Sequence, residues 1–150
     1  MDMQRRTFLK TTGAGIACAC LACTDVAKSV EGFMASPNPP DSFRVEGNKL
    51  IIDLSKHPKL KETGGWASFE ADKKKVIVLH PAEQDYKALA NKCTHKGSTL
   101  NYKPKDGFIQ CPLHGSRFDI EGKVLKGPAA QPLTGYKTTL DKDQLTVDLA

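Results

Sequence analysis

The sequence has few cysteines, and it lacks an apolar run long enough to cross a membrane. Three of its five cysteines, Cys18, Cys20 and Cys23, lie near the N-terminus, which leaves only Cys93 and Cys111 for the rest of the chain. With these two assigned below to a metal centre, no cysteine remains for a structural disulfide. The N-terminal apolar stretch, residues 11–22, is shorter than the roughly 20 residues of a membrane-spanning helix.

Further absences exclude whole classes of function. The sequence contains no nucleophile triad, no paired-carboxylate motif and no phosphate-binding loop. Basic and aromatic residues do not alternate as they do in nucleic-acid-binding proteins, and the net charge of +5 is mild. A length of 150 residues with 39% hydrophobic and 26% charged residues is typical of one small globular domain. Because the net charge is mild and basic residues do not alternate with aromatic ones, we expect no nucleic-acid partner.

Two short segments each combine one cysteine with one histidine. Cys93 and His95 are followed by fifteen residues, Lys96 to Gln110, and then by Cys111 and His114. Two thiolates and two imidazoles suit either zinc or an iron–sulfur centre. In an ordinary zinc finger one segment supplies both cysteines and the other both histidines. Here each segment mixes the two, which suits a 2Fe–2S cluster held by two Cys on one iron and two His on the other.

These segments, with Gly97 and Gly115 just beyond the ligands, resemble those of the Rieske iron–sulfur family. The resemblance covers roughly residues 45–149. It implies that Cys93 and Cys111 bind the inner iron, and that His95 and His114 bind the outer, reducible iron near the surface. A structural zinc site of Cys2His2 type is the alternative, because zinc accepts the same ligands.

The resemblance also implies roles for residues around the cluster. Ser116 matches the family serine whose hydroxyl donates a hydrogen bond to a cluster sulfur and raises the potential. Phe118 stands where high-potential members usually have tyrosine. Lys96 and Leu113 stand where respiratory members carry a disulfide between the two loops. Residues 127–129 resemble the proline loop that covers the cluster.

The N-terminus predicts export. Residues 4–10 match the twin-arginine motif, so we assign residues 1–23 to a twin-arginine signal or anchor segment. Cleavage, lipidation at Cys23 and retention as an anchor all stay open. We expect a protein in the periplasm or on the outer face of the cytoplasmic membrane. The Pro-rich residues 24–42 are predicted to form a linker.

Residues 43–150 predict an all-β domain. β-rich runs at residues 49–53, 66–70, 75–80 and 86–90 precede the first ligand segment, and residues 138–148 favour a closing hairpin. Only residues 55–62 favour a helical turn. His57 and His80 have no Cys or His at ligand spacing, so structural or solvated roles are expected. The fold class is a Rieske-type antiparallel β sandwich, with a two-loop cluster-binding part at about 91–116 inserted into it.

The resemblance implies one-electron transfer through one 2Fe–2S cluster, as an electron-transfer subunit rather than a catalyst on its own. The leading hypothesis is the iron–sulfur subunit of a quinol–cytochrome c reductase-like complex, with quinol, cytochrome b and a c-type cytochrome as partners. An alternative is a free-standing Rieske ferredoxin-like carrier, or the small subunit of a periplasmic oxidoreductase such as arsenite oxidase. A third hypothesis is a zinc-stabilised binding module.

Overall fold

The computed structural model describes residues 38–39 and 41–150, and this part is built almost entirely of antiparallel strands. The predicted signal segment, 1–23, and most of the predicted linker, 24–42, lie outside the described residues. No helix within the described residues is long and apolar enough to cross a membrane. The only helical elements there are a 3₁₀ turn, Leu54–Lys56, and the short helix α1, Pro58–Lys61.

Seven strands form a large sheet in which every neighbouring pair is antiparallel. Across the sheet their order is β1 (Phe43–Glu46), β2 (Lys49–Asp53), β11 (Gln144–Asp148), β10 (Gly135–Asp141), β5 (Asp85–Ala90), β4 (Lys74–Ala82) and β3 (Trp66–Ala71). The last strand of the chain thus pairs with β2 near the start of the domain, and β10 joins this pair to β5.

Strand β4 separates two hydrophobic cores. Val76 and Val78 pack into the first core with Leu50 of β2. Ile77 and Leu79, on the opposite face, pack into the second core with the cluster-binding part. A strand buried on both faces needs a continuous apolar run rather than alternation, which explains why residues 76–79 are all apolar and fully buried.

Four short strands form a second antiparallel sheet: β6 (Asn101–Lys103), β7 (Phe108–Gln110), β8 (Arg117–Phe118) and β9 (Val124–Lys126). Tyr102, Ile109 and Phe118 point from this sheet into the second core, beside the thiols of Cys93 and Cys111. The sheet reaches Lys126, beyond the segment 91–116 assigned above to the cluster-binding part. That assignment stays a prediction.

The all-β, antiparallel fold predicted from the sequence is confirmed. The four predicted strands before the first ligand segment are present as β2, β3, β4 and β5, and the closing hairpin is the β10–β11 pair. The helical turn predicted at residues 55–62 is also present. Strands β6 and β9 were not predicted individually. Their few apolar residues give no alternating pattern, and pairing with β7 and β8 makes them strands.

His57 and His80 both have structural positions in the large-sheet domain. His80 stacks on Tyr86 with ring centroids 4.3 Å apart, and its Nδ1 lies 3.0 Å from the carbonyl oxygen of Glu62. His57 precedes α1 and packs edge-on against Phe69 at 5.3 Å. Both histidines are buried.

Candidate metal centre

The loop that carries Cys93 and His95 lies between β5 and β6 and is closed by backbone hydrogen bonds. The N–H of Cys93 donates to the carbonyl of Ser98 at 2.8 Å, and the N–H of Gly97 donates to the carbonyl of Cys93 at 2.7 Å. Gly97 has φ of +72°, a backbone conformation that glycine adopts without a steric penalty. These bonds turn the backbone tightly enough to direct the neighbouring cysteine and histidine side chains to one end of the domain.

The loop that carries Cys111 and His114 lies between β7 and β8 and has the same construction. The N–H of Cys111 donates to the carbonyl of Ser116 at 2.8 Å, and the N–H of Gly115 donates to the carbonyl of Cys111 at 3.0 Å. Gly115 has φ of +74°. The repeated spacing Cys-x-x-x-Gly-Ser is the sequence signal for this symmetry, which our sequence analysis missed for Ser98.

The two loops bring all four predicted ligands together. Cys93 and Cys111 are free thiols, 2% and 1% exposed, and both belong to the second core. His95 is half-buried and His114 is exposed. Their rings meet edge to face with centroids 4.8 Å apart. The thiols thus lie inside the domain, and the imidazoles lie nearer its surface.

One observation tests whether these residues fit a metal centre. The Nδ1 atom of His95 is buried without a hydrogen-bond partner among the described residues, although buried polar atoms nearly always have one. A metal bond would satisfy this nitrogen. Two thiols and two imidazoles at one end of the domain are the ligand set of a 2Fe–2S cluster with two Cys on one iron and two His on the other.

Hydrogen bonds around the Cys111 sulfur favour its thiolate form. Burial by itself raises the pKa of this thiol. The backbone N–H groups of Leu113 and His114, together with the side chains of Cys93 and Ser98, act in the opposite direction, and the resulting pKa lies below its usual value. Thiolate is the form of cysteine that ligates metal.

The segment that resembles the proline loop is bonded to both ligand loops. The Ala129 N–H donates to the Ser116 hydroxyl oxygen at 3.1 Å. The Thr94 hydroxyl donates to the carbonyl of Gln131 at 2.7 Å. Ser116 is fully buried. These two bonds hold residues 129–131 against the site and fix the Ser116 oxygen as an acceptor, which leaves its proton free to be donated elsewhere.

Asn91 is a positioning residue that the sequence analysis missed. It follows β5 directly, is 1% exposed, and donates from Nδ2 to the hydroxyl of Ser68 at 2.7 Å. Its Oδ1 accepts the N–H of Leu100 at 2.7 Å. The amide thereby joins strand β3 to both ends of the first ligand loop. The sequence signal for this role was a polar amide, Asn91, placed between an apolar strand and the predicted ligand Cys93.

The surface around the site is apolar at one point. Leu113, next to His114, is 56% exposed, and Leu125 of β9 is 59% exposed. Phe118, where high-potential members carry tyrosine, is fully buried in the second core. Lys96 and Leu113 are both exposed in the two loops. Because neither residue is a cysteine, no disulfide joins the loops at these positions.

Comparison with known proteins agrees with this geometry. The family model "Rieske [2Fe-2S] domain" matches residues 41–137. The cytochrome b6-f complex iron-sulfur subunit 2 of Nostoc sp. (strain PCC 7120) is 31% identical over 156 residues, which cover 97% of this chain and 85% of that protein. The 3-phenylpropionate/cinnamic acid dioxygenase ferredoxin subunit of Shigella boydii is 31% identical over 81 residues, 52% of this chain and 76% of that protein.

A solved structure gives the same result. The plasma membrane Rieske protein of Synechocystis PCC 6803 superposes with a TM-score of 0.53 at 34% identity, over 56% of this chain and 86% of that one. The family model alone covers more than half of the sequence. The chain therefore belongs to the Rieske [2Fe-2S] family, and with that membership it carries a 2Fe–2S cluster.

Proposed function

We propose that this protein transfers single electrons as the iron–sulfur subunit of a quinol–cytochrome c reductase-like complex. One observation carries the proposal: two buried free thiols and two imidazoles in contact with each other lie at one end of the domain, and one of the imidazoles is exposed. The relative from Nostoc, which is named as a subunit of the cytochrome b6-f complex, supports this type of complex.

We assign Cys93 and Cys111 to the inner iron and His95 and His114 to the outer iron. The bound cluster supplies one-electron redox chemistry, with potentials of about −150 to +300 mV across Rieske centres. The protein would supply the thiolates and the imidazoles, and the Ser116 hydroxyl, whose oxygen accepts the Ala129 N–H, would donate a hydrogen bond to a cluster sulfur. Such a hydrogen bond stabilises the more negative, reduced state and raises the potential.

The exposed histidine is where a quinol would react. The His114 ring reaches solvent, so a quinol hydroxyl can donate a hydrogen bond to it and leave its proton on a ring nitrogen. Leu113 beside it offers an apolar contact for the quinone ring or for an apolar cytochrome b surface. This arrangement supports quinol and cytochrome b as partners, with a c-type cytochrome as the electron acceptor.

Export by the twin-arginine route is part of the proposal. The motif at residues 4–10 precedes the described residues, and the route carries folded proteins. A cluster can then be inserted before export. We propose that the domain works in the periplasm or at the outer face of the cytoplasmic membrane, where an anchor or a membrane complex retains it.

Membranes from cells that lack this protein test the proposal. Quinol-dependent reduction of cytochrome c should be lost, should return with the wild-type protein, and should not return with Cys111→Ser. Cys23→Ser, which lies outside the described residues, is the matched control and should restore turnover if Cys23 carries no lipid. Turnover that is unchanged without the protein would contradict the proposed complex.

A second candidate function is that of a free-standing ferredoxin-like carrier, or of the small subunit of a periplasmic oxidoreductase such as arsenite oxidase. It is favoured by the absent loop disulfide at Lys96 and Leu113, and by the similarity to a dioxygenase ferredoxin subunit. Affinity purification from native membranes separates the two. Stable co-purification with a cytochrome b contradicts the carrier.

A further inference from the structure

The positive charge of the domain is concentrated in the part that holds the cluster. Residues 91–126 contain seven lysine or arginine side chains and three carboxylates, a net charge of +4. Residues 43–90 and 127–150 together contain eleven lysine or arginine side chains and ten carboxylates, a net charge of only +1. An excess of positive charge in one part of a small domain creates a field that attracts negatively charged partners to that part.

A polar cleft of about 580 Å³ lies on the flank of the first ligand loop, beside His95. The predicted ligands Cys93 and His95 line it, and its other polar lining residues are Lys92, Thr94, Lys96, Gln131 and Thr134. Within the described part of the chain, no carboxylate lines it. The Thr94–Gln131 hydrogen bond holds its two walls together. The cleft therefore offers cationic and neutral polar groups next to a predicted ligand of the outer iron.

The two lysines of the cleft have no acidic partner within the domain. Neither Lys92 nor Lys96 forms an ion pair with any residue that the structure describes, whereas Lys61, Lys87 and Lys123 each do. A methyl group built on Gly97 would lie 3.1 Å from Cε of Lys92, so the Lys92 stem extends across the loop backbone. Lys92 lines the cleft and is exposed, so its ammonium group can meet an anion from outside.

We propose that this cleft docks the carboxylates of an acidic electron-transfer protein, and that this protein takes the electron through His95. The proposal rests on the proposed electron-transfer function and names the kind of partner. One electron leaves the domain and reduces one ferric haem or other one-electron acceptor, and no covalent bond forms or breaks. Leu113 and His114 lie on the other ligand loop and do not line the cleft.

The test uses the full chain with its cluster, reduced with dithionite, and measures second-order oxidation rates. The variant Lys92→Glu/Lys96→Glu reverses the cleft. The control Lys56→Glu/Lys142→Glu makes the same change of charge at two exposed lysines. Lys142 follows β10 at the end remote from Gly135, which pairs with Leu89 near the first loop; seven residues of strand separate these ends by roughly 20 Å.

The oxidants are ferricyanide and two c-type cytochromes, one of negative and one of positive net charge. At about 10 mM salt, where the Debye length is roughly 30 Å, the cleft variant should react about 10-fold or more slowly with ferricyanide and with the acidic cytochrome. The control should change by less than about 2-fold. The difference should narrow at 0.15 M salt, where the Debye length is about 8 Å. The basic cytochrome should not be slowed by either variant.

A binding measurement gives a readout that does not depend on the cluster. A fluorescent hexaglutamate peptide should bind the wild type and the control alike, and the cleft variant several-fold more weakly. Equal slowing of the two double variants, or equal peptide affinity, would overturn the proposal. The proposal would also be overturned if the cleft variant lost binding to phosphatidylglycerol vesicles while its rates of oxidation by the cytochromes stayed unchanged, because the lysines would then bind a membrane surface.

Failure of this proposal is distinguishable from failure of the proposed function. The EPR signal and the iron content of each sample are measured before the kinetics. A sample with a Rieske signal that is oxidised equally fast in all variants contradicts the docking site alone. A sample that takes up no electron contradicts the electron-transfer function itself.

Discussion

Replacement of Ser116 by alanine tests how the second ligand loop tunes the cluster. Ser116 is fully buried, and its hydroxyl oxygen accepts the Ala129 N–H at 3.1 Å. Because the oxygen accepts this bond, the hydroxyl proton is free to be donated to the cluster. Ser116→Ala removes both interactions without adding bulk, so the expected effects are a lower reduction potential and a lower free energy of unfolding.

The size of both effects can be worked out from the lost hydrogen bonds. A hydrogen bond to a charged acceptor contributes roughly 1.5–3 kcal/mol. If about 1.4 kcal/mol of this energy favours the reduced state, its loss changes the equilibrium constant for reduction about tenfold. For a one-electron couple, a tenfold change in the equilibrium constant lowers the potential by about 59 mV. The Ala129 N–H, left buried and unpaired, costs roughly 1–3 kcal/mol of stability.

The assay is a spectroelectrochemical titration of wild type and variant at one pH, followed by urea unfolding. The matched control is Ser42→Ala, since Ser42 is equally buried and its hydroxyl has no hydrogen-bond partner among the described residues. The control should leave the potential unchanged and cost little stability. An unchanged potential in Ser116→Ala, with the EPR signal retained, would refute the assignment of the Ser116 proton to the cluster.

Three further predictions follow from buried positions. Phe118→Tyr adds a hydroxyl at a fully buried site beside the cluster; the potential should rise, and an equal or lower potential in a cluster-loaded sample would contradict this. In Gly65→Ala the new methyl carbon would overlap the carbonyl oxygen of Lys59, so urea unfolding should show a loss of roughly 3 kcal/mol or more in the free energy of unfolding. Gly47→Ala, with φ of +57° and nothing within 4 Å of the new methyl carbon, should lose only about 1–2 kcal/mol. Burial lowers the pKa of His57 below the ordinary histidine value of 6.5, so the folded state binds this proton less readily than the unfolded chain does. The free energy of unfolding should therefore be fully retained above pH 6.5 and should fall as the pH drops below it. His57→Phe should reduce this dependence of the free energy of unfolding on pH between about pH 7 and pH 5.

The two loops that carry the predicted ligands could be found from the sequence because their determinants are local. Each ligand pair lies within four consecutive residues, and the glycines that turn the loops follow at once. The sequence cannot show how the two loops face each other. The 4.8 Å approach of the His95 and His114 rings depends on strands β6, β7 and β8 and on the core beneath them.

The strands that were predicted have strong local patterns, and those that were not depend on their neighbours. Residues 76–79 are all β-branched or apolar and form the centre of β4. Strand β9 exposes Leu125 and Lys126, so only its pairing with β8 makes it extended. Asn91 bonds to Ser68 and Leu100, which lie 23 and 9 residues away in the chain. Local sequence patterns cannot predict such bonds.

Low-temperature EPR of the dithionite-reduced protein, with iron and zinc counted on the same sample, tests the central claim most directly. We expect two irons per chain and a spectrum whose average g value lies clearly below that of all-cysteine clusters, because two imidazoles replace two thiolates. Cys111→Ser should lose this spectrum, and Ser42→Ala should keep it. A silent spectrum with one zinc per chain would contradict the electron-transfer account and leave only the fold.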